Sequence, residues 1–73
     1  MTIIVNGLPV FIDYELFSYE DVVKLAGMTG YPSMTYRTPK KDDGSRREGI
    51  LHTEQSVVLE SGMVFNVIHT DKA

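Results

Sequence analysis

Thr2-Ile3-Ile4-Val5-Asn6-Gly7-Leu8-Pro9-Val10-Phe11-Ile12-Asp13-Tyr14-Glu15 places two strand-like runs around an Asn-Gly pair, and this stretch decides the architecture. The first run is β-branched and apolar, as a buried strand requires. Asn-Gly favours positive φ, which bends a hairpin at Asn6-Gly7. In the second run, strand alternation puts Val10, Ile12 and Tyr14 on one face and Phe11, Asp13 and Glu15 on the other. A two-stranded hairpin with an apolar inner side is predicted, and another element has to cover that side.

The period changes immediately downstream. Ser18-Tyr19-Glu20-Asp21 matches a capping box with Asp in place of the usual Glu, so Ser18 is the expected N-cap. Phe17 and Val22 stand at the positions of a hydrophobic staple. Val22, Leu25 and Ala26 share a helical face, while Glu20 and Asp21 suit the positive end of the helix. Gly27 is a natural stop, so the spacing predicts a helix over Tyr19 to Ala26, leaning on the inner face of the hairpin.

Beyond Tyr31-Pro32, Ser33-Met34-Thr35-Tyr36-Arg37 reads as a third strand with Met34 and Tyr36 inward. Residues Pro39 to Gly49 are polar, Gly-punctuated and mixed in charge, which makes an exposed loop. Ile50-Leu51-His52 predicts a short edge strand, Val57-Val58-Leu59 is an apolar patch, and Glu60-Ser61-Gly62 is a tight turn. Met63-Val64-Phe65-Asn66-Val67-Ile68-His69 reads as the last strand. The first and last runs are nearly continuously apolar, as adjacent central strands of a mixed sheet are. The order strand, strand, helix, strand, short strand, strand predicts a two-layer α+β domain of the β-grasp type. Its expected form is a mixed four- to five-stranded sheet with one helix packed across it. The domain is expected over residues 1–70, with 71–73 as a flexible tail.

At 73 residues the chain has room for one domain. A domain this short buries only about 60% of its unfolded surface, so its core has to be compact. With 42% hydrophobic and 23% charged residues, it can build such a core instead of staying disordered. The lack of cysteine excludes a disulfide scaffold, a thiolate zinc site, an iron–sulfur cluster and a cysteine nucleophile. The longest apolar run falls far short of the roughly 18 residues of a membrane span, and no basic-then-apolar leader opens the chain. A net charge of −3 offers no broad positive field for nucleic acid. The expectation is a cytoplasmic binding or carrier module, not an enzyme, with neither a membrane nor a nucleic-acid partner.

Met1-Thr2-Ile3-Ile4-Val5 resembles the start of ubiquitin in its spacing of inward Ile3 and Val5, and Phe65-Asn66-Val67-Ile68 resembles ubiquitin's last strand. The likeness is closer to the bacterial multiubiquitin-type family of ubiquitin-like proteins. It is carried by Ile4-Val5-Asn6-Gly7, by Leu25-Ala26-Gly27 at the helix end, and by Ser61-Gly62-Met63-Val64-Phe65-Asn66-Val67 followed by Thr70-Asp71-Lys72. It spans essentially the whole chain.

The resemblance implies a protein modifier. In such systems a ubiquitin-activating-type enzyme uses ATP to adenylate the modifier's C-terminal carboxylate. A conjugating enzyme carries the modifier to protein targets, where an isopeptide bond forms, and a deconjugating peptidase trims or removes it. The modifier is a substrate and supplies no catalytic group, metal or cofactor. On this resemblance the conjugation terminus lies within Thr70, Asp71, Lys72 and Ala73. Ubiquitin ends in two glycines, and this sequence shows none there. Trimming, enzymes that accept another terminus, or no conjugation are the three readings. The difference also speaks against the sulfur-carrier proteins, whose terminal glycine becomes a thiocarboxylate. Related operons suggest antiviral defence as the setting.

Ubiquitin-like proteins bind partners through the sheet face opposite the helix. Carried over by strand position, Ile4, Val64 and Ile68 point outward, Thr35 and Arg37 flank them, and Phe11 also points away from the core. Clustered exposed apolar residues mark a partner site, whereas isolated ones are ordinary surface. The alternative function is a non-conjugated β-grasp adaptor that binds protein partners through the same face or by edge pairing. Lys40, Lys41, Arg46 and Arg47 are interleaved with Asp42, Asp43 and Glu48, so they read as a solvated loop and not a phosphate site. His52 and His69 lack the further ligands a metal site requires. Ser18 reads as a cap rather than a nucleophile.

Overall fold

Both residues of the Asn6-Gly7 pair take positive φ, 51° and 82°, so a two-residue turn joins β1 (Thr2–Val5) to β2 (Leu8–Phe11). These strands open a computed structural model that describes residues 1–69. The register pairs Ile3 with Val10 and Thr2 with Phe11. The ladder closes one step on, where the Met1 amino group donates to the Ile12 carbonyl at 2.7 Å and the Ile12 N–H donates to the Met1 carbonyl at 2.8 Å. The second strand therefore stops well short of the predicted Glu15. Tyr14 is not inward: it is 51% exposed, with its ring 5.5 Å from that of Phe17.

Asn6 does more than turn the chain. Its backbone N–H donates to the Phe65 carbonyl at 2.9 Å, and its side-chain Oδ1 accepts the Val67 N–H at 2.7 Å. One residue thus extends the ladder between β1 and the last strand after its own backbone has turned away. Asn6→Gly keeps the positive φ but leaves the buried Val67 without its acceptor, and we expect a loss of about 1–2 kcal/mol. Asn6→Ala adds the left-handed backbone cost and loses about 2–3 kcal/mol. Urea unfolding of both variants checks this order, and equal stabilities would contradict it.

The main sheet has five strands in the order β2-β1-β7-β4-β5, with β4 at Ser33–Arg37, β5 at Glu48–Ile50 and β7 at Val64–Ile68. As the two apolar runs imply, β1 and β7 are neighbours, and they are parallel. β7 is antiparallel to β4, and β4 to β5. The edge strand sits two residues earlier than the predicted Ile50 to His52. Leu51 leaves the strand for the core while its N–H bonds to the Met34 carbonyl, and His52 is held in a turn by Gln55.

The helix α1 (Tyr19–Leu25) is capped as predicted. Ser18 Oγ accepts the Asp21 N–H at 3.1 Å, and Asp21 Oδ2 accepts the Ser18 N–H at 3.0 Å. Phe17 and Val22 are both buried, as a staple requires. At the other end Gly27, at φ 70°, donates to Lys24 and Met28 donates to Val23, so the helix ends one residue before the predicted Ala26 in a Schellman motif. The buried face differs from the predicted one. Tyr19 and Val22 are buried and Ala26 packs against them, but Leu25 is exposed. At about 100° per residue, Leu25 falls on the flank of a face centred between Val22 and Ala26.

A second, two-stranded sheet was not predicted: β3 (Leu16–Ser18) pairs antiparallel with β6 (Ser56–Val58). Each three-residue strand buries only its middle residue, Phe17 and Val57. Arg47 ties this small sheet to the β4–β5 hairpin. Its Nη2 donates to the Val58 carbonyl at 2.7 Å and to Glu60 Oε2 at 2.9 Å.

Ile3, Val5, Phe65, Val67 and Met34 from the main sheet meet Phe17, Tyr19 and Val22 in one core. The buried Tyr19 hydroxyl donates to the Pro32 carbonyl, joining the helix start to the entry of β4. Burial pushes the Tyr19 phenol above its ordinary 10.0, with smaller contributions from Glu20 and Tyr31. The native state therefore keeps a proton that the unfolded chain loses above pH 10. This contribution to stability is complete below that value and disappears as the pH rises through the raised native one. Tyr19→Phe should abolish this alkaline slope and cost about 1–2 kcal/mol at neutral pH, because the Pro32 carbonyl loses its donor. Urea unfolding between neutral and alkaline pH tests both effects, and an unchanged alkaline slope would rule out Tyr19 as its source.

Candidate functional site

With α1 on one side of the main sheet, strand alternation presents the other side to solvent. One row crosses all five strands of that face: Pro9, Ile4, Val64, Arg37 and Glu48 stand side by side. A step along β7, Asn66 lies beside Thr35, which lies beside Ile50. A further step brings Ile68 next to Ser33. In the opposite direction Phe11 pairs with Thr2.

The predicted face residues Ile4, Phe11, Thr35, Arg37, Val64 and Ile68 all fall on this side. They do not form one patch. Ile4 and Val64 are half-buried in the central row, while Phe11 is 75% exposed and Ile68 63%. Phe11 and Ile68 occupy opposite corners, about 20 Å apart along the strands and about 10 Å across them. The apolar surface is thus divided into a β2–β1 half and a β7–β5 half.

The second half has relief. A hollow of about 390 Å³ opens beside Ile68, floored by Ser33, Thr35 and Asn66 and walled by Ile50 and His52. A second hollow of about 260 Å³ continues from Thr35, Asn66 and Ile50 towards Arg37 and Glu48. Ile50, at 58% exposed, stands between them and was missed by the sequence reading. Its signal was available, because once Leu51 is seen as inward, Ile50 must point outward. Small polar groups on the floor, with Ile50, Ile68 and His52 around it, suit a peptide or protein surface.

The charged loop is organised locally. Asp43 Oδ1 accepts the Ser45 N–H at 2.9 Å, and the hydrogen bonds from the Ser45 side chain and backbone hold the Asp43 carboxyl below its usual range. Arg47 is committed to Glu60, leaving Lys40, Lys41 and Arg46 among Asp42, Asp43 and Glu48. Among the described residues, no three His, Asp or Glu side chains converge as a metal site. No helix among them is long and apolar enough to cross a membrane. The predicted conjugation terminus, Thr70 to Ala73, lies outside the described residues.

Searches of curated proteins and of solved structures return no match. The family model described as multiubiquitin matches residues 1–71. That match covers nearly the whole chain, and the five-stranded mixed sheet with its crossing helix is the ubiquitin-like β-grasp it requires. The chain belongs to the multiubiquitin family of ubiquitin-like domains.

Proposed function

We propose that this domain is a non-enzymatic protein modifier, activated at a C-terminal carboxylate by an adenylating enzyme that consumes ATP and joined to protein targets through an isopeptide bond. Family membership over residues 1–71 is the observation that carries this reading. The architecture supports it. β7 is bonded to β1 at its start and to β4 along its whole length, so the chain is held in the sheet as far as Ile68. A modifier requires that arrangement, because its terminus has to enter an enzyme's active site while the folded body stays outside. The face bearing Ile68 and Ile50 docks the activating and conjugating enzymes, and a deconjugating peptidase acts on the same terminal segment.

Intact mass spectrometry of the protein recovered from its native cells tests the proposal. The expected result is a set of adducts in which the carbonyl of a residue at or near Thr70 to Ala73 is bonded to a target amine. The same spectra define the mature end of the chain. If the protein is recovered only without adducts under every growth condition, it acts instead as an adaptor that binds partners without conjugation.

A further inference from the structure

The two edges of the main sheet are unlike. In a tight two-residue hairpin the Val5–Leu8 and Ile3–Val10 pairs exchange backbone hydrogen bonds, so the outward groups of β2 belong to Pro9 and Phe11. Pro9 has no N–H, and this edge is blunted. On β5 the Leu51 N–H bonds to Met34 and the Arg47 carbonyl to Thr38, so the intervening Glu48 and Ile50 point their backbone groups away from the sheet. Among the described residues, none of those four groups has a hydrogen-bond partner. Further along, the His52 N–H and carbonyl are both taken by Gln55, which closes the edge.

We propose that the β5 edge is a strand-addition site for an extended segment of a partner protein, and that its side chains set which segment binds. An antiparallel segment would make two backbone hydrogen bonds to Glu48 and two to Ile50. Cross-strand complementarity then assigns its outer-face residues. An apolar residue lies against Ile50, a basic one against Glu48, and an acidic one next to Arg46. The residue opposite Gly49 faces the other way. The Tyr36 hydroxyl lies 3.3 Å from the place a Gly49 Cβ would occupy, so the tyrosine ring is the surface this residue meets, and an aromatic side chain fits it. The recognised pattern is apolar, aromatic, basic, any residue, acidic.

A second copy of this chain does not meet these requirements. Pairing β5 with itself about Gly49 sets Glu48 against Ile50 twice, an apolar side chain beside a carboxylate on each side. Pairing about Glu48 opposes two like charges, and pairing about Ile50 needs the His52 backbone groups that Gln55 occupies. The proposal does not depend on conjugation, since a modifier and an adaptor would use this edge equally.

The probe is an acetylated and amidated peptide, valine-tyrosine-lysine-threonine-glutamate, flanked by threonines. Its comparison peptide exchanges the lysine and the glutamate. Titration into the full chain, followed by NMR, is expected to slow amide hydrogen exchange at Glu48 and Ile50 and to favour the first peptide by about tenfold. Glu48→Lys, an exposed change outside the core, should abolish that preference, because each peptide then makes one opposite-charge and one like-charge pair. Three results would overturn the proposal: no response at Glu48 and Ile50 up to millimolar peptide, a response confined to the Phe11 edge, or shifts at Glu48 and Ile50 that depend on protein concentration alone. The last would make a second copy the occupant. An unchanged preference in the Glu48→Lys variant would remove the assigned register.

Discussion

Phe65→Ala is expected to cost about 3–5 kcal/mol, more than the loss of the Asn6 or Tyr19 hydrogen bonds. Phe65 is fully buried near the start of β7, with Val5 beside it on β1 and Tyr36 beside it on β4. The Tyr36 ring centroid lies 6.4 Å from its own, tilted by 42°. Removing the ring opens a cavity where both halves of the sheet and the helix meet, and neighbours on hydrogen-bonded strands cannot collapse to fill it. A 73-residue domain has only about 4–11 kcal/mol of stability in total, so the variant should be largely unfolded in modest denaturant. Phe65→Leu, which keeps most of the volume, should lose no more than about 1.5 kcal/mol. Urea midpoints at constant slope decide the matter, and a loss below about 1 kcal/mol for the alanine variant would show that the core is not organised around this ring.

Ile68→Arg should have the opposite profile, an intact fold and a failed function. The side chain is 63% exposed on the open face, so the unfolding free energy should stay within about 0.5 kcal/mol of the parent. If the β7–β5 half of the face docks the activating or conjugating enzyme, a buried guanidinium there should lower transfer to targets at least about 30-fold. Phe11→Arg supplies the control, because Phe11 lies at the far corner of the same face. Transfer reconstituted with the cognate enzymes, or followed by adduct formation in cells, reads both variants. Normal conjugation of Ile68→Arg would remove this half of the sheet from the docking surface. Equal loss in both variants would mean that the footprint spans the whole face.

What could be read from the sequence was what is written locally. Asn6-Gly7 codes its own turn, Ser18 and Asp21 cap the helix between themselves, and the apolar runs of β1 and β7 mark the sheet centre. The β3–β6 pair was hidden because three residues with one inward side chain carry no period, and what brings Phe17 to Val57 is packing between segments about forty residues apart. The two-residue error at β5 has the same origin. An exposed loop sets where the return strand starts, and only the core position of Leu51 fixes its phase. For the candidate site, alternation along β1, β2, β4 and β7 placed the six predicted residues on the open side. The division of that side into two halves depends on register between strands, which no single run of residues contains. Ile50 was lost with the phase of its strand.

The parallel pairing of β1 with β7 determines how the domain responds to force. Tension applied between residue 1 and residue 69 acts along both strands and tries to slide one past the other. The bonds from Gly62 to Thr2, Ile4 to Met63, Asn6 to Phe65 and Val67 to the Asn6 side chain are then loaded together, and none can open ahead of the rest. Tension applied across β2 would open the hairpin one bond at a time. A machine that grips the domain near residue 69 and pulls against residue 1 therefore meets its most resistant axis, and single-molecule pulling should record a higher rupture force along it than from Leu8.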